Sequence, residues 1–197
     1  MILQLKFGDM VHILSKLHDV AESKRTALRS RLQAMQKEGF PSGLNPGKGV
    51  KFSYTLNHLF KLVFAFEFLR MGITPKRSIE LVEANWDTLE ATVGKLHNAW
   101  RQGAIFESYV WVVNIDGLSD LRNSSSSRPP RLWHVSLPTL ASLRDFDEDT
   151  PDRLMGFNFG RIADLVFDEL EELQRSGRGQ ISDNFPKSQG GTRDEHS

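Results

Sequence analysis

Apolar residues at Met10, Ile13, Leu14, Leu17 and Val20 follow one another at intervals of three and four, which predicts a short helix from Asp9 to Val20 with Asp9 capping its start. A four-residue connection, Ala21 to Lys24, leads toward a second helix whose expected N-cap is Ser23 and which runs to about Glu38. Its apolar positions Leu28, Leu32 and Met35 share one face, and Gly39 ends it. The eleven residues from Gly39 to Gly49 hold four Gly and two Pro, so this stretch turns at least once, as a turn-rich loop or a short hairpin.

Thr55 is placed to cap a third helix through Arg70. From Leu56 to Met71 the pattern is apolar nearly all round, with Phe60, Phe64, Phe66 and Phe68 supplying large surfaces. Such a helix is expected to be buried on most sides, against the rest of the chain or a partner subunit. Gly72 stops it, and Thr74 with Pro75 at the first helical position starts another, which Ile79, Leu81, Val82, Trp86 and Leu89 carry onward. A further helical stretch ends near Gly103.

Beyond Gly103 the period changes. Ser108 to Asp116 and Arg131 to Leu137 are rich in β-branched and aromatic residues and predict two strands, joined by a surface loop from Gly117 to Pro130. An acidic loop and a helix near Asn158 to Arg175 follow, the helix striped by Phe159, Ile162, Val166, Leu170 and Leu173. From Ser176 the composition turns polar and a disordered tail is expected. The expected fold class is mostly α with small β, divided as a domain over 1–85, an α+β module over 86–175 and a tail over 176–197.

Charge sharpens that division. The 25 Lys+Arg and 25 Asp+Glu cancel, but residues 1–77 hold 13 and 5, net +8, while residues 78–197 hold 12 and 20, net −8. Such asymmetry points to nucleic acid or another anionic surface at the basic end and says nothing about fold. With 39% apolar and 25% charged residues the chain reads as soluble and globular. The absence of cysteine excludes disulfides, thiolate zinc sites and Cys nucleophiles, and fits a reducing compartment. The longest strongly apolar stretch, Leu62 to Phe66, is far short of the ~20 residues of a membrane span, and the N-terminus lacks the pattern of a signal peptide. The expected location is cytoplasmic, without membrane contact.

The second helix carries the candidate chemistry. Between Ser23 and Lys37 there is no acidic residue, whereas Lys24, Arg25, Arg29, Arg31 and Lys37 are basic. Stepping 100° per residue puts Thr26, Arg29, Ser30, Gln33 and Lys37 on the side away from Leu28, Leu32 and Met35. Arg can contact guanine in bidentate fashion, Gln can do so with adenine, and small hydroxyls reach phosphates or bases. A lone basic helix reads more naturally as a solvated amphipathic helix. Its setting favours recognition: a short apolar helix, a short connection, a basic helix, then a Gly/Pro loop with Lys48 and Lys51 follow the layout of a helix-turn-helix with a wing.

In this setting the sequence resembles the MerR-like winged helix-turn-helix family over about residues 8–85. The resemblance rests on Leu14-Ser-Lys-Leu, Arg25-Thr-Ala-Leu-Arg, Gly39-Phe-Pro and Gly49-Val-Lys-Phe-Ser-Tyr54, and most strongly on Thr55 to Val82 with Arg70-Met-Gly-Ile-Thr-Pro and Ile79-Glu-Leu-Val. It implies a winged helix-turn-helix with a helical connector, binding double-stranded DNA as a homodimer. Two features depart from the family pattern: the recognition helix is longer, and Trp86 to Trp100, interrupted by Gly94, is shorter than the family's dimerising helix. The stripe Phe159 to Leu173 is a candidate dimer surface, although packing on the chain's own two-stranded sheet is the more natural use.

Enzyme readings find little support. The six histidines, at 12, 18, 58, 97, 134 and 196, never form an i, i+4 pair. Asp145-Phe-Asp-Glu-Asp-Thr lacks the Gly and Glu that a calcium loop needs, having Thr150 and Gly156 at those positions. No Walker loop, nucleophile elbow or dinucleotide fingerprint occurs. Tyr109, Trp111 and Trp133 either line a pocket for a small-molecule effector or are simply core; a protein effector is the other candidate partner of this acidic module. The sequence therefore predicts a sequence-specific transcriptional regulator without cofactor, metal or catalytic residues. Thr26, Arg29, Ser30 and Gln33 are expected to face bases, and Lys24, Arg25, Arg31, Lys37, Lys48 and Lys51 to meet phosphates. An excisionase-like architectural factor and a non-DNA protein-interaction module are the alternatives.

Overall fold

The structure, a computed structural model, describes residues 2–43, 53–103, 109–114, 132–136, 154–177 and 180–182. These residues are mostly helical with a small β part. Strand β1 (Ile2–Gln4) precedes α1 (Phe7–Leu17), and a single 3-10 turn (Glu22–Lys24) leads into α2 (Arg25–Lys37). Then come α3 (Leu56–Arg70), α4 (Pro75–Ala84) and α5 (Trp86–Arg101). Strands β2 (Tyr109–Asn114), β3 (Leu132–Ser136) and β4 (Leu154–Asn158) precede α6 (Phe159–Arg175) and β5 (Gln180–Ser182).

Short-range chemistry sets most helix ends. The hydroxyls of Thr55 and Thr74 accept the N–H groups of His58 and Arg77, and the Asn158 side chain accepts that of Arg161, each satisfying an amide the helix leaves open. Pro75 starts α4, and Gly39 and Gly72 close α2 and α3 at left-handed φ of 78° and 85°. Two expected caps are corrected. Helix α1 begins at Phe7 with Lys6 as N-cap, so Asp9 sits in the first turn, where its carboxylate accepts the Lys6 N–H at 2.8 Å. Ser23 lies inside the 3-10 turn, and α2 starts without a side-chain cap. In 3-10 geometry residues i and i+3 eclipse, and an ion pair between Glu22 and Arg25 at 2.9 Å spans this entry. Trp86 and Leu89 do not continue α4, which ends at Ala84; they begin α5, which runs unbroken through Gly94 to Arg101.

Helix α3 forms the centre of the core, with every residue from Leu59 to Phe68 buried. Its rings meet α6 and the end of β4: Phe64 lies 4.5 Å from Phe159, Phe60 lies 5.5 Å from Phe167, and Phe68 lies 5.8 Å from Phe157. From α5, His97 and Trp100 close on the other side of Phe167, each at 5.4 Å. One hydrophobic cluster thus runs from Leu5 to Leu173. The packing does not divide at residue 85, because the aromatic residues of α3 find their partners beyond it. The stripe Phe159, Ile162, Val166, Leu170 and Leu173 is buried within the protomer, which removes it as an exposed dimer surface.

Strands β3, β2 and β4 form an antiparallel sheet in that spatial order, with Trp111 opposite both His134 and Phe157. The two strands expected from sequence are its β2 and β3; β4 was not expected. Strand β1 pairs antiparallel with β5, placing Leu3 opposite Ile181, and a bridge joins Leu5 to Tyr54. Residues 180–182 are therefore paired although they fall in the segment expected to be disordered. Among the described residues no helix is long and apolar enough to cross a membrane.

Candidate nucleic-acid interface

The periodicity of α2 sorts its side chains. Leu28, Leu32 and Met35 are 6%, 1% and 2% exposed, while Thr26, Arg29, Ser30, Arg31, Gln33 and Lys37 are all exposed, as is Lys24 before the helix. The four residues expected to face bases therefore share a solvent-facing surface free of carboxylates. Arg25 is half-buried and its guanidinium is engaged by Glu22, so among the described residues it is the one expected phosphate contact on α2 that is already ion-paired. Lys48, Lys51 and the rest of residues 44–52, on which the expected wing falls, lie outside the described residues.

Neighbouring elements hold this helix at both ends. At the N-terminal side, the Arg29 guanidinium carbon lies over the Phe7 ring of α1, 5.9 Å from its centroid. At the C-terminal side the Gln36 amide donates to the Tyr54 hydroxyl, and Tyr54 is 3% exposed and bridged to Leu5. Burial pushes the Tyr54 phenol above its ordinary pKa, and the Gln36 bond partly offsets this. Phe40, after the Gly39 turn, is buried and donates its N–H to the Met35 carbonyl at 3.0 Å; the Phe40-Pro41 bond is cis.

A polar clamp fixes the chain just beyond. The Lys61 ammonium, with a side chain 7% exposed, meets Glu83 Oε2 at 2.9 Å, donates to the Ser42 hydroxyl and lies 4.9 Å from the centre of the Trp86 ring. Ser42 donates its own N–H and O–H to Glu83 at 3.2 and 3.0 Å. Burial works to raise the Glu83 pKa, but the bonds from Lys61 and Ser42 outweigh it and hold the carboxyl below its ordinary value. The clamp thereby ties the turn after α2 to α3, α4 and the start of α5. Nearby, His58 accepts the Thr55 N–H at Nδ1 over 3.1 Å, and burial together with Lys61 keeps its pKa low.

A second polar group underlies the turn after α1. His18 caps α1, its ring stacks on Phe66 at 5.5 Å, and its Nδ1 lies 3.4 Å from Glu67 Oε1. Both side chains are nearly inaccessible, and Arg70 covers Glu67 at 3.1 Å. Burial and the Arg70 charge lower the His18 pKa to about 4, while burial raises that of Glu67. At neutral pH the His18 imidazole is therefore uncharged, and Arg70 is the cation that faces Glu67. Between α1 and α6, Glu169 approaches His12 at 3.6 Å and Lys16 at 3.7 Å.

Sequence reasoning did not find Phe7, Gln36, or the Ser42, Lys61 and Glu83 clamp. Lys61 carried a signal, since a cation in the middle of an apolar-all-round helix must be buried with a partner. The others depend on contacts between distant segments. No group of three or more His, Asp or Glu side chains with metal-binding spacing occurs among the described residues. The acidic loop at Asp145 and the side chains of Tyr109, Trp111 and Trp133 lie outside the described residues. A scan against protein-family models returns no match for this chain, and a search of curated proteins returns none either.

Proposed function

We propose that this protein is a sequence-specific DNA-binding transcriptional regulator of the winged helix-turn-helix type, acting as a homodimer, with α2 in the major groove. The observation that carries this reading is the outer face of α2, which exposes Thr26, Arg29, Ser30 and Gln33 flanked by Lys24, Arg31 and Lys37, with no carboxylate within the helix. In the groove, Arg29 and Gln33 supply bidentate donors to base edges, while the lysines and Arg31 meet phosphates. Its placement supports the same role: α1, a tight turn and α2 are consecutive, and the clamp on Ser42 fixes the chain as it leaves toward Lys48 and Lys51.

Mobility-shift selection from a pool of random duplexes tests the reading. The wild-type chain should enrich a defined sequence. Its affinity should fall steeply with salt, with a log-log slope of about −9 if about five phosphates are met per protomer and about ten by the dimer. Arg29→Ala with Gln33→Ala should relax the sequence preference. A flat salt response with no enriched sequence overturns the reading.

A further inference from the structure

We infer that Phe7 is a specificity-positioning residue: its ring holds the Arg29 guanidinium on the outer face of α2 so that the N–H edge is presented to a guanine in the major groove. The inference rests on the DNA-binding reading and adds a residue outside the recognition helix to it.

Three observations carry it. The guanidinium carbon of Arg29 lies over the Phe7 ring at 5.9 Å. The platform is fixed: Phe7 is half-buried against the core and begins α1 beside the bond from the Lys6 N–H to the Asp9 carboxylate. Arg29 is also free of the partner that engages comparable arginines. Arg25, Arg70 and Arg77 each meet a carboxylate three residues away, whereas Arg29 meets none among the described residues. The difference matters chemically. A carboxylate occupies the N–H donors of an arginine, while an aromatic face attracts the cation and leaves its N–H edge open. That edge matches the paired acceptors O6 and N7 of guanine. A long exposed side chain otherwise loses rotamer freedom on binding, and a ring that already restricts it reduces that loss.

The test compares full-length Phe7→Leu, Phe7→Met, Phe7→Tyr and Arg29→Ala with wild type. It measures affinity for the duplex selected from a random pool, for versions with single guanine replacements, and for unrelated duplex. Phe7→Leu and Phe7→Met keep apolar packing without a ring. They should lower discrimination against one guanine replacement by about two- to fivefold, the size of an exposed cation–π contact, with unrelated-duplex affinity and salt slope unchanged. Phe7→Tyr should retain the discrimination. In an Arg29→Ala background Phe7→Leu should change it no further, a coupling that a purely structural role for Phe7 does not produce. Wild-type discrimination in a folded Phe7→Leu or Phe7→Met chain overturns the inference, as does an equal loss in the Arg29→Ala background. A wild-type chain that selects no sequence overturns the DNA-binding reading and this inference with it.

Discussion

Helix α3 buries Lys61 and Glu67 and sets each against an opposite charge, Glu83 at 2.9 Å and Arg70 at 3.1 Å. Helix α2 exposes Arg29, Arg31 and Lys37 and gives none of them a carboxylate among the described residues. The contrast follows from solvation. A charge removed from water costs several kcal/mol unless it is paired, so the ionic groups of α3 belong to the scaffold. Solvated charges cost almost nothing to leave open, and an exposed pair would add only about 0–1 kcal/mol. The cations of α2 therefore remain available to an external anion, and the same residue type serves two purposes according to its burial.

The strongest test of that contrast lies in the aromatic centre of α3. Phe64 is fully buried, 4.5 Å from Phe159 and 6.0 Å from Phe157. Phe64→Ala should cost about 3–5 kcal/mol in urea denaturation. Because one cluster runs through both halves of the chain, fluorescence and circular dichroism should report a single shifted transition. Two separate transitions would show that the halves fold independently. The clamp comes next. Glu83→Gln leaves the Lys61 ammonium buried without its carboxylate and should cost about 2 kcal/mol, below the ~3–5 of a fully buried pair because the Glu83 side chain is 33% exposed. Lys61→Met leaves a carboxylate that water reaches and should cost less. The reverse order of the two variants in the same denaturation series would contradict the assignment of Lys61 as the desolvated partner.

Acid stability probes the other buried pair. The His18 pKa is lowered from 6.5 to about 4, so between these values the unfolded chain binds more protons than the folded one. The His18 contribution is thus intact above pH 6.5 and is progressively lost as pH falls toward 4. Glu67 acts in the opposite sense: its raised pKa makes the folded chain the better proton binder above 4.5, which softens the loss over part of that window. His18→Leu keeps an apolar contact with Phe66 and removes the titration. Its stability should vary less with pH between 6.5 and 4 than that of wild type, as followed by thermal midpoint in a buffer series. Parallel curves for the two proteins would exclude His18 as the titrating group.

Features set by neighbours in sequence were the legible ones. The Thr55 cap, the Gly72 stop and the apolar surround of α3 can all be read within a few residues, and so can the outward placement of Thr26, Arg29, Ser30 and Gln33 by helical stepping. Periodicity identifies which face is apolar but not what covers it. For that reason the sequence pattern places Phe159 and Phe167 in a separate module, whereas their rings pack against Phe60 and Phe64. Strands β1 and β5 are three residues each, too short for a period, and their pairing joins opposite ends of the chain. Strand β4 reads Leu-Met-Gly-Phe-Asn, in which Gly156 weakens the strand signal. Asp9 and Ser23 have the right chemistry for caps, but Asp9 accepts the Lys6 N–H from inside the first turn and Ser23 falls in a 3-10 entry, so the helix starts shift. At the interface, the face itself could be read from sequence, while its support from Phe7 and Tyr54 is a property of the folded chain.

The smallest effect on stability is expected where the largest effect on recognition is. Ser30 and Gln33 are exposed on α2 and make no side-chain hydrogen bond among the described residues, and alanine is the better helix former by up to about 0.5 kcal/mol at each position. Ser30→Ala with Gln33→Ala should therefore leave urea stability unchanged or raise it by up to about 1 kcal/mol. The same double variant should lose preference for the selected duplex while keeping most of its affinity for unrelated DNA, because the lysines and arginines that meet phosphates are untouched. A stability loss would place these side chains in the scaffold with those of α3. A gain in stability together with a loss of sequence preference would mark the outer face of α2 as a surface whose composition serves binding at the expense of helix propensity.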